Sequence, residues 1–209
     1  MKKILTAVVG ALVVVGAGAG LWIALDSSKS AATIGKEKIS AKQLQDTVKA
    51  VIAERKTVST TGMTLAYGDS LNAEELNYYV LSTLLAHTMA ANKLTITDAQ
   101  VKERAASILK QEGTAAKLKS GEVSAGIASK EFPGYVREIL SIEALTKMVE
   151  AQGTAVADSG TAVQGLVRQM AIKEGVKIDP KYGTWDSTQV SVVPPATAAS
   201  TSPTPAASK

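Results

Sequence analysis

An uncharged apolar run over residues 4–25 sets the first limit on this chain, preceded by Lys2 and Lys3 and ended by Asp26. At about 1.5 Å of rise per residue such a run reaches roughly 30 Å, the thickness of a bilayer's hydrocarbon core. With both lysines before the run, the positive-inside rule keeps the amino terminus in the cytoplasm. Residues 26–209 are then expected outside, on a single-pass protein of the cell membrane. A cleaved signal peptide starts the same way but needs a small-residue cleavage site. Ala17-Gly18-Ala19 and Ser30-Ala31-Ala32 both offer one, and a cut at either makes the protein secreted. Trp22 suits an interfacial anchor. Gly16 and Gly20 have the spacing that lets two such helices approach closely, as in a homodimer.

The chain has no cysteine, which excludes thiol catalysis, thiolate metal sites and a lipid-modified cysteine. Without Lys2 and Lys3, 21 basic residues face 19 acidic ones, a net charge of +2. That balance points to no nucleic-acid partner. Residues 26–32 read as a linker. Residues 194–209, almost wholly Pro, Ala, Thr and Ser, offer no large apolar side chain to offset the entropy of ordering and read as a disordered tail. Residues 33–193 are the size of one domain.

Inside it, three helix starts combine a cap with a hydrophobic staple. Ser40 precedes Gln43, with Ile39 and Leu44 as the staple; Asn72 precedes Glu75, with Leu71 and Leu76; Thr97 precedes Gln100, with Ile96 and Val101. A helical apolar rhythm follows each start. It runs through Leu44, Val48, Val51 and Ile52, then through Leu76, Tyr79, Val80, Leu84 and Met89, then through Val101, Ala105, Ile108 and Leu109. Leu81 and Leu85 broaden the second stripe, as in a helix contacted from several sides. A fourth helix begins near Pro133 and carries Val136, Leu140, Leu145 and Val149. A fifth carries Val163, Leu166, Val167 and Met170 and ends at Gly175. Strand signals lie only at the domain's ends, in 33–39, 176–178 and 189–192. The expected fold is therefore mainly α: about five helices, with a small sheet formed by strands from the two ends, behind an amino-terminal transmembrane helix. Residues 58–70 and 113–133 read as long loops.

The short strand with its Gly turn at Ile34-Gly35-Lys36-Glu37-Lys38-Ile39 comes first in a distinctive order. Asn72-Ala73-Glu74-Glu75-Leu76, Thr95-Ile96-Thr97-Asp98-Ala99-Gln100-Val101 and Asp179-Pro180-Lys181-Tyr182-Gly183-Thr184-Trp185-Asp186 follow it. Over residues 33–193 this resembles the SurA amino-terminal chaperone domain of actinobacterial envelope proteins. The resemblance implies a chaperone-like fold that binds unfolded or exported polypeptides outside the cytoplasm. Many relatives carry a parvulin prolyl-isomerase domain where this chain has only residues 113–133, so isomerase activity is not expected.

Chemistry is scarce in the sequence. His87 is the single histidine and falls on the apolar stripe of the second helix, where it reads as a core residue. Glu74 and Glu75 read as first-turn charge favouring the helix dipole. Tyr182 and Trp185 read as rings covering the joint between strands and helices. No metal, cofactor or catalytic residue is assigned, and no enzyme is expected. An apolar groove between the second and fourth helices is the expected peptide site, lined by Leu76, Tyr79, Val80, Leu84, Met89, Val136, Leu140 and Met148. The alternative is a structural or adaptor subunit of an envelope complex with one dedicated partner.

Overall fold

A computed structural model describes residues 29–196. It opens with the hairpin β1 (Ser30–Ile34) and β2 (Glu37–Ser40). Helices α1 (Ala41–Arg55), α2 (Gly68–Ala91), α3 (Asp98–Glu112), α4 (Ala115–Ser124), α5 (Phe132–Ala151) and α6 (Ser159–Glu174) follow. Strands β3 (Val176–Ile178), β4 (Thr184–Asp186) and β5 (Ser191–Val193) close the chain. Among the described residues no helix is long and apolar enough to cross a membrane. The run at 4–25 and nearly all of the Pro/Ala/Thr/Ser tail lie outside them.

The breadth of the second helix's apolar stripe has its counterpart in position. Helix α2 packs against α1, α5 and α6 and against β1 and β5, and 11 of its 24 residues are buried. Leu71, Leu76, Val80 and Leu84 are fully enclosed. Helices α1, α5 and α6 each lay one apolar stripe on it, through Leu44, Val48 and Val51, through Leu145 and Val149, and through Val163, Val167 and Met170. Fully burying such side chains stabilises the fold by about 1.5–3 kcal/mol each.

Two of the three expected caps are present. Ser40 Oγ accepts from the Gln43 backbone amide at 3.0 Å, and Thr97 and Gln100 form a complete capping box. The third is not. Helix α2 starts a turn earlier, after Tyr67, so Asn72 lies within the helix and its Oδ1 accepts from Gln45 Nε2 at 2.9 Å. Burial of Leu71 explains the earlier start, because the apolar seam with α1 continues past the capping sequence. The expected loop at 113–133 contains the sixth helix, α4. Its ten residues hold only Leu118 and Val123 as large apolar side chains, too few for a periodic signal, and Thr114 caps it at the Lys117 amide.

The terminal strands pair as expected, in two sheets instead of one. Strand β1 lies between β2 and β3, antiparallel to both, with Ala32 opposite Ile178 and Ile34 opposite Val176. It begins at Ser30, and Ala31 and Ala32 are buried, so the ordered fold reaches into residues assigned to the linker. Strand β5 pairs with β4, and its Val192 amide donates to Asn77 Oδ1 on α2 at 2.9 Å. Tyr182 is buried and Trp185 packs against the core where these strands meet the helices.

Leu84→Ala is expected to cost about 2–5 kcal/mol of unfolding free energy, whereas Leu109→Ala, 40% exposed on α3, should stay near 0.5 kcal/mol. Urea unfolding of the two variants measures the difference; equal losses would remove α2 as the centre of the fold.

Candidate functional site

The eight residues expected to line the groove fall in two apolar clusters. Leu76, Tyr79, Val80, Leu84 and Met89 are core residues of α2, and Met148 packs against the same cluster from α5. Val136 is buried and Leu140 half-buried in a second, smaller cluster. Six of these side chains are thus packed into the main core, while Val136 and Leu140 are covered by α3.

The smaller cluster has a different character. Val101 and Ile108 of α3 pack on Val136 of α5, with Ile96, Ala105, Leu118, Phe132 and Leu140 around them. Only 2 of the 15 residues of α3 are buried. Helices α3 and α4 thus form an arm laid over α5 and α1. Its tip is Gly113, and one of its roots is Gly126. Both have positive φ, 82° and 72°, a backbone region that favours glycine.

Polar contacts fasten the arm. Arg104 pairs with Glu143. Arg137 donates to Ile96 O at 2.7 Å and to Asp98 Oδ1 at 2.5 Å. Lys119 reaches Glu54 at 2.5 Å, and the Ser129 amide donates to both Glu54 oxygens at 3.1 and 3.0 Å. Asp98 is 85% exposed, and exposed pairs of this kind contribute about 0–1 kcal/mol. The fastening near Glu54 is better enclosed, since Glu122, which accepts from Ser129 Oγ, is buried.

Beside the arm, α2 and α5 enclose carboxyls. Glu75 is 2% exposed and its Oε2 has no hydrogen-bond partner. Burial, with the Glu74 charge adjoining it, pushes its pKa up to about 8 against the pull of Arg55. Burial likewise pushes Glu138 up to about 7, although Ser82 donates to it and acts the other way. The Tyr78 ring stacks on Tyr135 with centroids 4.1 Å apart and passes over Gly134, where a Cβ would stand 2.0 Å from the Tyr78 hydroxyl. Tyr79 Oη lies 2.6 Å from Thr47 Oγ1 and donates to Glu131 at 3.0 Å. This network borders an open depression of about 330 Å³ that includes Ser40, Lys42, Asp46 and Lys130.

The position of Glu75 departs from the expected first-turn charge. With α2 starting at Gly68, Glu75 falls in the second turn, four residues from both Leu71 and Tyr79 and on their buried face. That spacing is present in the sequence, but a cap at Asn72 would place Glu75 in the first turn, where a carboxylate needs no buried site. His87 also departs from expectation. It stands at the rim, its side chain 26% exposed, with Nδ1 2.6 Å from Glu174 Oε2 and Nε2 3.1 Å from Glu37 Oε1. Burial alone would lower its pKa, but the two carboxylates outweigh that and hold it above the ordinary value. The bracketing acids come from 50 and 87 residues away in sequence, so no local pattern announces them.

Among the described residues no three His, Cys, Asp or Glu side chains converge as a metal site. Fold and site together define a mainly helical domain, closed by strands from its two ends, with a lightly held helical arm. The model of the SurA-like N-terminal domain family matches residues 1–146 of the 209, and the chain belongs to that family, whose domain is of the chaperone type. The match ends inside α5, short of the α6, β3 and β5 segments that complete the core. No curated protein and no solved structure matches the chain.

The raised groups fix a pH response. A carboxyl whose folded pKa exceeds its free value near 4.5 binds a proton on folding between the two values, so stability falls as pH rises through that window. For Glu75 the window runs from 4.5 to about 8, and for Glu138 from 4.5 to about 7. The raised His87 adds stability that is fully present below its unfolded pKa, near 6.5, and lost as pH rises through the folded value. The domain should therefore gain stability on going from pH 8 to pH 5. Glu75→Gln should flatten that slope and raise stability at pH 8 by on the order of 2–4 kcal/mol. Urea unfolding at both pH values tests this; an unchanged slope in the variant would show that Glu75 is not protonated on folding.

Proposed function

We propose that the chain is a membrane-tethered, extracytoplasmic chaperone that binds unfolded or exported polypeptides and has no prolyl-isomerase activity. The observation that carries this reading is the α3–α4 arm over its own small apolar cluster. The arm buries three apolar side chains, Val101 and Ile108 of α3 and Val123 of α4, at about 1.5–3 kcal/mol each, a weak hold beside the 11 buried residues of α2. Swinging the arm away uncovers Val136, Leu140 and Phe132 of α5 and leaves the larger core intact. A contiguous apolar surface of that kind suits extended polypeptide of varied sequence. Local opening of this type is common in elements with few buried contacts.

Family membership supports the chaperone class. The absence of isomerase activity is supported by residues 113–133, which hold only α4, a 3-10 turn at Ser129–Glu131 and the start of α5. The retained tether is supported by β1. A cut after Ala32 would sever a paired strand whose Ala31 and Ala32 are buried, which leaves only the cleavage site inside the apolar run.

Residues 26–209 should suppress aggregation of several denatured clients at near-stoichiometric amounts. Arg104→Ala with Arg137→Ala, which loosens the arm, should strengthen suppression and raise binding of an apolar dye. Light scattering reads both. No suppression by either protein on any client contradicts the chaperone reading, and recovery of one dedicated partner by pull-down favours an adaptor.

A further inference from the structure

We infer that the face around the start of β1 is a lipid-contact surface, on which the domain rests against bilayer headgroups. The inference rests on the proposed retained tether. Only Asp26, Ser27 and Ser28 separate Leu25 from Lys29, and a chain of that length spans at most about 14 Å whatever its conformation. Roughly 5–7 Å of that distance is headgroup layer. A folded unit of the 168 residues from 29 to 196 has a radius of gyration of about 15 Å. The tether is thus shorter than the domain's own dimension, and the face around Lys29 is held toward the membrane.

The structure shows which residues share that face. Lys29 O accepts from the Ala41 amide at 2.9 Å, and Ala31 O accepts from the Asp179 amide at 2.9 Å. Ser30 pairs with Ser40. The first turn of α1, with Lys42, and the turn after β3, with exposed Lys181, therefore flank the point of emergence. The depression beside Ser40 and Lys42 opens at the same place. Large apolar side chains are missing from these positions, as a surface facing polar headgroups requires. Charge is not what selects it, since Lys42 is paired with Asp46 at 2.5 Å and Asp179 adjoins Lys181. Contact is enforced by tether length and is expected on zwitterionic lipid.

The Gly35–Lys36 turn provides an internal reference, because four residue steps of β1 carry it about 13 Å from Ser30. The native chain has no cysteine, so single labels are straightforward. Full-length K42C, K181C and K36C, each with a fluorophore, are reconstituted in phosphatidylcholine vesicles containing a lipid with a nitroxide on its headgroup. Labels at 42 and 181 should lose most of their emission and the label at 36 little. A long Gly/Ser insertion between Ser28 and Lys29 should bring the first two down to the level of the third. Equal quenching at all three positions in chains that float with the vesicles overturns the surface and leaves the tether standing. Quenching unaffected by the insertion also overturns it. Chains that do not float overturn the tether and the surface together.

Discussion

Everything in this domain depends on the burial of α2. A helix of 24 residues crosses the interior, and every other large element finds its apolar partner there or on a neighbour of α2. Its apolar residues point in several directions because α1, α5, α6, β1 and β5 all pack on it. The terminal strands serve the same end. Strand β1 lies on α2 from the amino-terminal side and β5 from the carboxyl-terminal side, and the β1–β3 ladder ties the two ends of the chain together. Residues beyond the family match thereby supply part of the core that the matched residues need.

The arm is the exception to that economy. Helices α3 and α4 touch α5 and α1 but add little to the main core, and surface ion pairs fasten them where apolar area is small. Elements of this kind are drawn from the low-stability end of a structure, where binding surfaces that must open are also found. The buried carboxyls of α2 and α5 run against stability in the same way. Glu75 has an unpartnered oxygen in the interior, and removing a polar group from water without a partner costs about 1–3 kcal/mol. The fold tolerates this beside the one part of the molecule proposed to move.

Much of this architecture was legible in the sequence. The caps at Ser40 and Thr97, the ends at Gly113 and Gly175, the stripes of α1, α5 and α6 and the pairing of the terminal strands all rest on local or periodic signals. What escaped has physical reasons. Asn72 resembles a cap because capping chemistry is local, while the extra turn of α2 is stabilised by tertiary burial of Leu71. Helix α4 has too few apolar residues for periodicity to register. The proposed client surface is the least legible. Leu76, Val80 and Leu84 form a stripe that reads equally as groove or core, and their burial follows from where α1, α5 and α6 lie. The clasp of His87 between Glu37 and Glu174 joins residues that no spacing rule connects.

In the proposed mode of action the arm opens as a unit while the α2 core stays closed, and a client occupies the surface beneath it. Native-state hydrogen exchange with and without a denatured client tests it most directly. Amides of α3 and α4 should exchange through a low-energy opening that is insensitive to mild denaturant, while those of α2 exchange only on global unfolding. Client should alter exchange in the arm and in the first turns of α5. Exchange of the arm only on global unfolding, or client protection centred on α2, would contradict the account.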